Sequence, residues 1–181
     1  MYLVDTNVWL ERLLDQERSC EVGRFLDQIS SDQLFITDFP FHSIGIVLSR
    51  LNCVDAFLQF VRDAFIDGDV SIVRLGPEDM AKVVDAMQRF NLDFDDAYQY
   101  AVAARYGLTI VSFDADFDRT ERGRKMPKDL LEDRVVQLKI SGGLLARNTL
   151  LNLIGQAMPL LVGVETISFI VRDLRNGTLR D

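Results

Sequence analysis

The chain has 181 residues, 48% of them hydrophobic, which suits one ordinary domain with a real core, alone or with an appendage. Its 28 Asp and Glu outnumber its 20 Lys and Arg, and the formal net charge is −8 at pH 7. This acidic balance argues against broad electrostatic capture of nucleic acid, but not against an enzyme that meets nucleic acid through a bound metal ion.

The cysteine and histidine content excludes one class of metal site. Cys20 and Cys53 lie far apart, and His42 is the single histidine, so the chain cannot build a zinc site from His and Cys. The sequence does not begin with a basic segment followed by an apolar signal core. We therefore predict a cytoplasmic, reduced protein.

Residues 1–132 alternate between strand-like and helix-like segments. Short apolar or β-branched runs predict four strands, at residues 1–5, 33–37, 70–75 and 108–112. Helical periodicity predicts helices at residues 8–15, 20–30, 41–51, 54–66, 80–90 and 95–106. Pro77 is typical of a helical first turn, and Gly107 of a left-handed C-cap. This alternation predicts an α/β fold with three layers, in which helices cover both faces of a central parallel sheet.

The composition changes near residue 133. Residues 1–132 hold 24 acids and 14 bases, for a net charge of −10, whereas residues 133–181 hold 4 acids and 6 bases, for a net charge of +2. Residues 149–171 form a mostly apolar run that is long enough to span a membrane. Glu165 favours a buried or partner-facing helix instead, and both readings stay open. We predict a domain at residues 1–132 and an appendage at 133–181 that carries a long hydrophobic helix.

Acidic residues follow the predicted strands and open one predicted helix. Asp5 ends the first strand, Asp93, Asp95 and Asp96 precede or open the helix at 95–106, and Asp114 and Asp116 follow the fourth strand. Ligands of open parallel sheets bind beyond the carboxyl ends of the strands. Asp5 and Asp114 therefore converge if their strands are neighbours.

A cluster of carboxylates at this edge has a chemical use. Mg²⁺ and Mn²⁺ prefer oxygen ligands, and such an ion polarises a phosphoryl oxygen and lowers the pKa of a bound water. This chemistry suits phosphodiester hydrolysis. Each acid also has an ordinary structural interpretation, because Asp93 or Asp95 can be a helix N-cap and Asp116 a solvated turn residue.

Three segments carry a resemblance to a known family: residues 3–8 (LVDTNV), 91–97 (NLDFDDA) and 107–117 (GLTIVSFDADF). In their order and spacing, residues 1–130 resemble PIN-domain proteins, which include the VapC-like toxin ribonucleases of bacterial toxin–antitoxin pairs. The resemblance implies that Asp5, Asp96 and Asp114 are the catalytic, metal-binding acids, with Asp116 as a further oxygen donor to Mg²⁺ or Mn²⁺. A metal-bound water would then attack the phosphodiester in line.

The resemblance also implies supporting roles around these acids. Thr6 or Ser112 would hold the metal-binding residues in place, and Asn7 would orient a carboxylate or a water. The family usually carries a Glu where this chain has Ser43, which brings no charge and implies weaker metal affinity. Asp38, at the end of the second predicted strand, could replace that carboxylate.

Basic and aromatic residues near the acids are open to two interpretations. His42 could touch substrate phosphate, but a lone His beside Phe41 and Ile44 is more often a partly buried structural residue. Arg119 and Arg122, with other bases up to residue 128, could bind the phosphates that lead into the acidic site. They could equally form a solvated loop face.

The C-terminal segment has a resemblance of its own. Residues 144–164 resemble the amino-terminal first span of polysaccharide flippases, many-helix transporters that cannot work from one span. This implies a fusion or read-through fragment behind the PIN-like domain. Residues 138–171 would then form a long helix that packs on the domain, self-associates or touches a membrane.

The leading hypothesis is a metal-dependent endoribonuclease, the toxin of a toxin–antitoxin pair. Its partners would be an RNA substrate, an antitoxin protein and a second copy of the chain in a homodimer. The second hypothesis, favoured by Ser43 and the negative charge, is a catalytically weakened PIN fold that serves as a binding or assembly module. A phosphatase with Asp5 as nucleophile ranks last, because the second acid expected two residues later is Asn7.

Overall fold

The computed structural model of the protein describes residues 1–132 of the chain. The predicted appendage at 133–181, its hydrophobic helix and its membrane contact lie outside these residues. In the described part, no helix combines the length and the apolar character that crossing a membrane requires.

Four short strands form one parallel sheet. They are β1 (Tyr2–Val4), β2 (Leu34–Thr37), β3 (Ser71–Val73) and β4 (Thr109–Val111). Their order across the sheet is β3-β2-β1-β4, so β1 pairs with both β2 and β4. The predicted parallel sheet is confirmed, and so is the condition on which the convergence of Asp5 and Asp114 depended.

Six α-helices connect and cover the strands. They are α1 (Thr6–Leu13), α2 (Ser19–Gln28), α3 (Asp38–Arg50), α4 (Val54–Val61), α5 (Met80–Phe90) and α6 (Phe94–Tyr106). A π-helical turn at Arg62–Ile66 continues α4, and 3₁₀ turns at Pro77–Asp79 and Ala115–Arg119 precede α5 and follow β4. Gly107 ends α6 in the left-handed conformation, with φ of 67°, as predicted.

The start of α3 differs from the prediction. The helix begins at Asp38 and not at residue 41, so Asp38 opens α3 instead of ending β2. Pro40 fits in the first turn of a helix because its missing N–H has no helical partner there in any case. The Phe39-Pro40 pair therefore belongs to the helix and not to a loop.

The apolar side chains form two clusters that take alternate residues of each strand. Leu3 and Ile110 belong to the cluster covered by α5 and α6, whereas Val4 and Val111 belong to the cluster covered by α1 to α4. Side chains alternate between the faces of a strand, which places the two clusters on opposite sides of the sheet. By the same alternation, Asp5 follows Leu3 onto the side of α6.

Strand register brings the first residues of the site together. Leu3 pairs with Ile110 and Val4 with Val111, so that Asp5 and Ser112 are the next residues on adjacent strands. The backbone N–H of Asp5 donates to the carbonyl of Val111 at 3.0 Å and extends the pairing by one step. Two residues that are 107 positions apart in the chain thus lie side by side at the carboxyl edge.

Candidate active site

Asp5 is the centre of the site and is 5% exposed. Its Oδ1 accepts hydrogen bonds from the backbone N–H of Thr6 at 2.6 Å and from Nε2 of Gln99 at 2.9 Å. Its Oδ2 accepts from Nδ2 of Asn7 and from Oγ of Ser112, both at 2.7 Å. These four donors match the acceptor capacity of a carboxylate, about four lone-pair positions. The carboxylate is therefore held in one orientation.

Burial raises the pKa of Asp5 above its ordinary value. The hydrogen bonds from Ser112, Gln99 and Thr6 lower that pKa, and the nearby charge of Asp114 raises it again. All four hydrogen-bond donors are neutral groups, and desolvation still outweighs them. A positive ion beside Asp5 would act in the opposite sense and favour its charged form.

A hydrogen-bond network joins the ends of β1 and β4. Asn7 donates from Nδ2 to Oγ of Ser112 at 3.1 Å and accepts from the backbone N–H of Phe113 at 3.1 Å. Ser112 is fully buried and accepts from the backbone N–H of Asp114 at 2.9 Å. The structure thus places Asn7 and Ser112 where they orient Asp5 and the loop that carries Asp114. Thr6 contributes its backbone N–H to this arrangement.

Asp96 lies in the first turn of α6, where its backbone N–H donates to the capping carboxylate of Asp93 at 2.9 Å. Its pKa rises to about 7, mainly because of burial and then because of the charges of Asp93, Asp114, Asp5 and Asp116. These charges can act on Asp96 only if the acids share one part of the surface. The structure therefore brings together the ends of β1 and β4 and the start of α6.

Asp114, which is exposed, and Asp116, which is partly exposed, form the rim of the site. Asp114 caps the 3₁₀ turn at Ala115–Arg119 by accepting from the backbone N–H of Asp116 at 2.8 Å. Asp116 is paired with Arg119, whose guanidinium donates to Oδ1 at 2.6 Å and also to the carbonyl of Asn91 at 2.9 Å. Arg119 is thus next to the acids.

The other predicted phosphate contact is separate from this pair. Arg122 is exposed and donates to the carbonyl of Leu108 at 3.2 Å. Leu108 lies just before the start of β4, and within residues 1–132 Arg122 makes no hydrogen bond to an acid of the site. Between the two arginines, Arg119 is therefore the one that contacts an acid of the site.

Two residues of α3, Asp38 and Ser43, were predicted to support the site. Ser43 is half-buried and supplies no charge. Asp38 has one buried carboxylate oxygen without a hydrogen-bond partner. Burial raises the pKa of Tyr98 on α6, and the charge of the nearby Asp38 raises it further. Asp38 therefore faces α6, which is the helix that carries Asp96.

His42 differs from the structural role that its neighbours suggested. It is exposed, and its ring centroid lies 6.1 Å from that of Phe41. With Gly45, Ile46 and Phe57 it lines a shallow apolar groove between α3 and α4. The expectation of a partly buried histidine is wrong.

The donors of the site suit a hard cation in kind but are not yet gathered around one point. All the candidate ligands are carboxylate or other oxygen atoms, and Mg²⁺ commonly takes only one or two protein carboxylates and completes its shell with water and phosphate. Within residues 1–132, no three His, Cys, Asp or Glu side chains are grouped closely enough to hold an ion as they stand. Carboxylate oxygens are suitable ligands for a cation, and a cation would relieve the repulsion between these acids. The rim acids would have to move inward to bind the same ion as Asp5.

Sequence reasoning missed Gln99. It is 3% exposed and donates directly to Asp5. It lies three residues after Asp96, on the same face of α6. A buried amide among the alanines of this helix was the available signal, since Ala97, Ala101 and Ala103 are also buried.

The match to a family covers most of the described residues. The family model for the PIN domain matches residues 2–123, more than half of the chain. The chain belongs to the PIN-domain family. The resemblance found in the segments around Asp5, Asp96 and Asp114 is thereby confirmed at the level of the family.

Solved structures resemble this PIN domain in fold. VapC20 of Mycobacterium tuberculosis, a toxin that cleaves the sarcin-ricin loop, is 16% identical with a TM-score of 0.58, and the match covers 70% of this chain and 100% of that one. FitAcB of Neisseria gonorrhoeae is 18% identical with a TM-score of 0.57, covering 71% and 99%. A toxin–antitoxin complex of Klebsiella pneumoniae is 17% identical with a TM-score of 0.55, covering 70% and 98%. At these identities the likeness shows the fold. No curated protein matches the sequence.

Proposed function

We propose that this PIN-domain protein is an endoribonuclease that hydrolyses RNA phosphodiester bonds with the help of Mg²⁺ or Mn²⁺. One observation carries the proposal. The pairing of β1 with β4 and the hydrogen bonds of Ser112 bring Asp5 and the loop of Asp114 together at one edge of the sheet, where their charges act on Asp96. Negative charges concentrated in this way are relieved by a bound cation.

Asp5, Asp96 and Asp114 would hold the cation, and Asp116 would add an oxygen after leaving Arg119. The bound ion would supply Lewis acidity toward a phosphoryl oxygen and toward an attacking water. The protein's own part is positional. Asn7 and Ser112 keep the Asp5 carboxylate in one orientation, and the Thr6 backbone N–H completes that support.

The substrate would approach past the rim of the site. Arg119 is exposed and contacts Asp116 at this rim, on a protein whose net charge is −8. Phosphate contacts of this kind position a strand without reading its sequence. A substrate bound by few cations and one metal site would depend on the metal for both affinity and catalysis.

We infer further that the protein is the toxin of a toxin–antitoxin pair, acts in the cytoplasm and forms a homodimer. The support is the PIN family and the fold shared with VapC20 and with a Klebsiella pneumoniae toxin–antitoxin complex. An antitoxin would be the protein partner. The division into a nuclease domain at 1–132 and an appendage at 133–181 is part of the same proposal.

A second candidate function is a PIN fold that binds a partner without catalysis. Two observations favour it: Ser43 stands where a family carboxylate is usual, and all the acceptor positions of Asp5 are already used by neutral donors. A cation at Asp5 would have to replace at least one of those donors.

Calorimetric titration with Mn²⁺ and an RNA cleavage assay separate the two candidates. The wild-type chain should bind Mn²⁺ and cleave RNA only when the ion is present. Asp5→Asn should lose more than about 100-fold in cleavage, beyond the usual cost of removing a group that only supports a ligand. Arg50→Ala, at the last turn of α3 and the opposite edge of the sheet, serves as the control. Undiminished cleavage by Asp5→Asn would refute the assignment, and no Mn²⁺ binding at millimolar concentration would favour the binding module.

A further inference from the structure

Gln99 has one hydrogen-bonding atom that no group of the described chain satisfies. Its Nε2 donates to Asp5, but its Oε1 is buried without a hydrogen-bond partner within residues 1–132. The side chain is 3% exposed, so this amide oxygen has little access to bulk solvent. Buried polar atoms are rarely left unpaired, and an exception is usually explained by an ordered water or an ion.

We propose that Gln99 is a positioning residue whose amide N–H fixes Asp5 and whose amide oxygen accepts a hydrogen bond from an ordered water among the site's acids. The inference rests on the proposed function and extends it to a residue outside the family's acidic set. A buried water requires about two to four polar partners. The acceptor positions of Asp5 are already filled, so Asp96, one turn earlier on the same helix, is the second partner that we assign to this water.

The chemistry of the amide explains why glutamine suits this position. It carries a donor and an acceptor on one planar group, so one side chain can hold a carboxylate and a water at once. A Glu at residue 99 would place a second carboxylate against Asp5, and an apolar side chain would leave Asp5 with three donors. The amide oxygen of Gln99 is uncharged, so it adds an acceptor to the site without adding to the repulsion among the acids.

The test compares Gln99→Met with Gln59→Met. Gln59 on α4 is a matched control, because its Nε2 donates at 2.6 Å to Asp63, a carboxylate that is 8% exposed in the other helical layer. Both substitutions remove a hydrogen bond that a side-chain amide donates to a buried Asp, and both should lower Tm. Gln99→Met alone should raise the Kd for Mn²⁺ by about tenfold and lower kcat on RNA with KM unchanged. Equal Mn²⁺ affinity in the two variants would overturn the inference.

A crystal structure of the wild-type protein with Mn²⁺ decides the case even if Gln99→Met fails to fold. A water at about 2.7–3.2 Å from Oε1 of Gln99 supports the inference, and an unpartnered Oε1 overturns it. The outcome for the proposed function is separate. Wild-type protein that binds Mn²⁺ but cleaves no RNA refutes the nuclease, while the Mn²⁺ affinities of the variants still judge Gln99. Wild-type protein that binds no Mn²⁺ refutes the metal-dependent nuclease, and a crystal structure of the metal-free protein then judges Gln99 by the water at its Oε1.

Discussion

The acidic site has an inner half, Asp5, and an outer half, formed by Asp96, Asp114 and Asp116. The two halves differ in how their carboxylates are stabilised. Asp5 is buried and held by four neutral donors, and strand register sets its place beside Ser112. Asp114 is exposed, and Asp96 and Asp116 are partly exposed; burial, and then the charges of the neighbouring acids, raise the pKa of Asp96 to about 7. The inner half is held by hydrogen bonds, whereas the outer half carries a charge repulsion that a bound cation would relieve.

This difference separates two kinds of experiment. Changes to the inner half should disturb geometry, and should therefore reduce stability and function together. Changes to the outer half should relieve charge, and should therefore stabilise the metal-free protein while they weaken cation binding. If variants of both halves changed the Tm of the metal-free protein in the same direction, this division would be wrong.

Ser112→Ala should give the largest effect on the inner half after loss of Asp5 itself. The change removes one donor to Asp5 and the acceptor for the Asp114 backbone N–H. Because Ser112 is fully buried, the unfolding free energy should fall by about 1–3 kcal/mol. Mn²⁺ affinity or RNA cleavage should fall about 10–100-fold, as for other groups that orient a ligand.

Ser19→Ala is the matched control for that variant. Ser19 is a buried serine at the start of α2 whose hydroxyl accepts a hydrogen bond from Arg12 at 3.2 Å. The Ser19→Ala variant should be less stable than the wild type but should bind Mn²⁺ with the same affinity. If the two serine variants lost function equally, the support of Asp5 by Ser112 would have no specific role.

Asp96→Asn tests the outer half through the pH dependence of stability. The pKa of Asp96 is about 7 in the folded chain against 3.8 as the ordinary value. The folded state therefore holds this proton more tightly, and the stability it contributes is full below pH 4 and lost as the pH rises through 7. Asn cannot ionise, so metal-free Asp96→Asn should gain Tm over the wild type, and the gain should grow from pH 4.5 to pH 8.

Thermal unfolding in the presence of a chelator measures this gain in Tm. A repeat with saturating Mn²⁺ tests whether Asp96 is also a ligand of the ion. The ion should reverse the order, because it stabilises the wild type by binding the folded state, and Asp96→Asn has lost a ligand. If the Tm difference between Asp96→Asn and the wild type did not change with pH, the pKa of Asp96 would not be raised by burial and the neighbouring acids, and this account of the outer half would be wrong.

The two halves also differ in how far the sequence predicts them. The strands and the acids at their ends can be predicted from the sequence, because apolar runs stop abruptly at Asp5 and before Asp114. The contact of Asp5 with Ser112 depends on β1 and β4 being neighbours, which is a matter of strand order and not of local sequence. Gln99 was missed because periodicity alone does not show which face of α6 turns toward the sheet edge.

Local chemistry explains the smaller differences. The sequence predicted Asp38 at the end of a strand and a helix from residue 41, whereas α3 begins at Asp38 and takes Pro40 in its first turn. The pairing of Asp116 with Arg119 follows from their spacing of three residues in a tight turn, and it could have been predicted. In the proposed metal site, Asp116 would have to leave Arg119 in order to bind the cation.

Arg119→Ala should have the smallest effect and addresses the competition between Arg119 and the cation for Asp116. The Arg119 and Asp116 side chains are 46% and 40% exposed, so their ion pair is worth less than about 1 kcal/mol and Tm should barely change. Removal of the guanidinium frees Asp116, and Mn²⁺ affinity should stay constant or rise slightly. RNA binding without metal should weaken, and the dependence of log K on log salt should become shallower by about 0.7, the value for one phosphate contact on a single strand. Arg50→Ala should leave that slope unchanged, and if Arg119→Ala did so as well, Arg119 would be a partner of Asp116 and not a contact for the substrate.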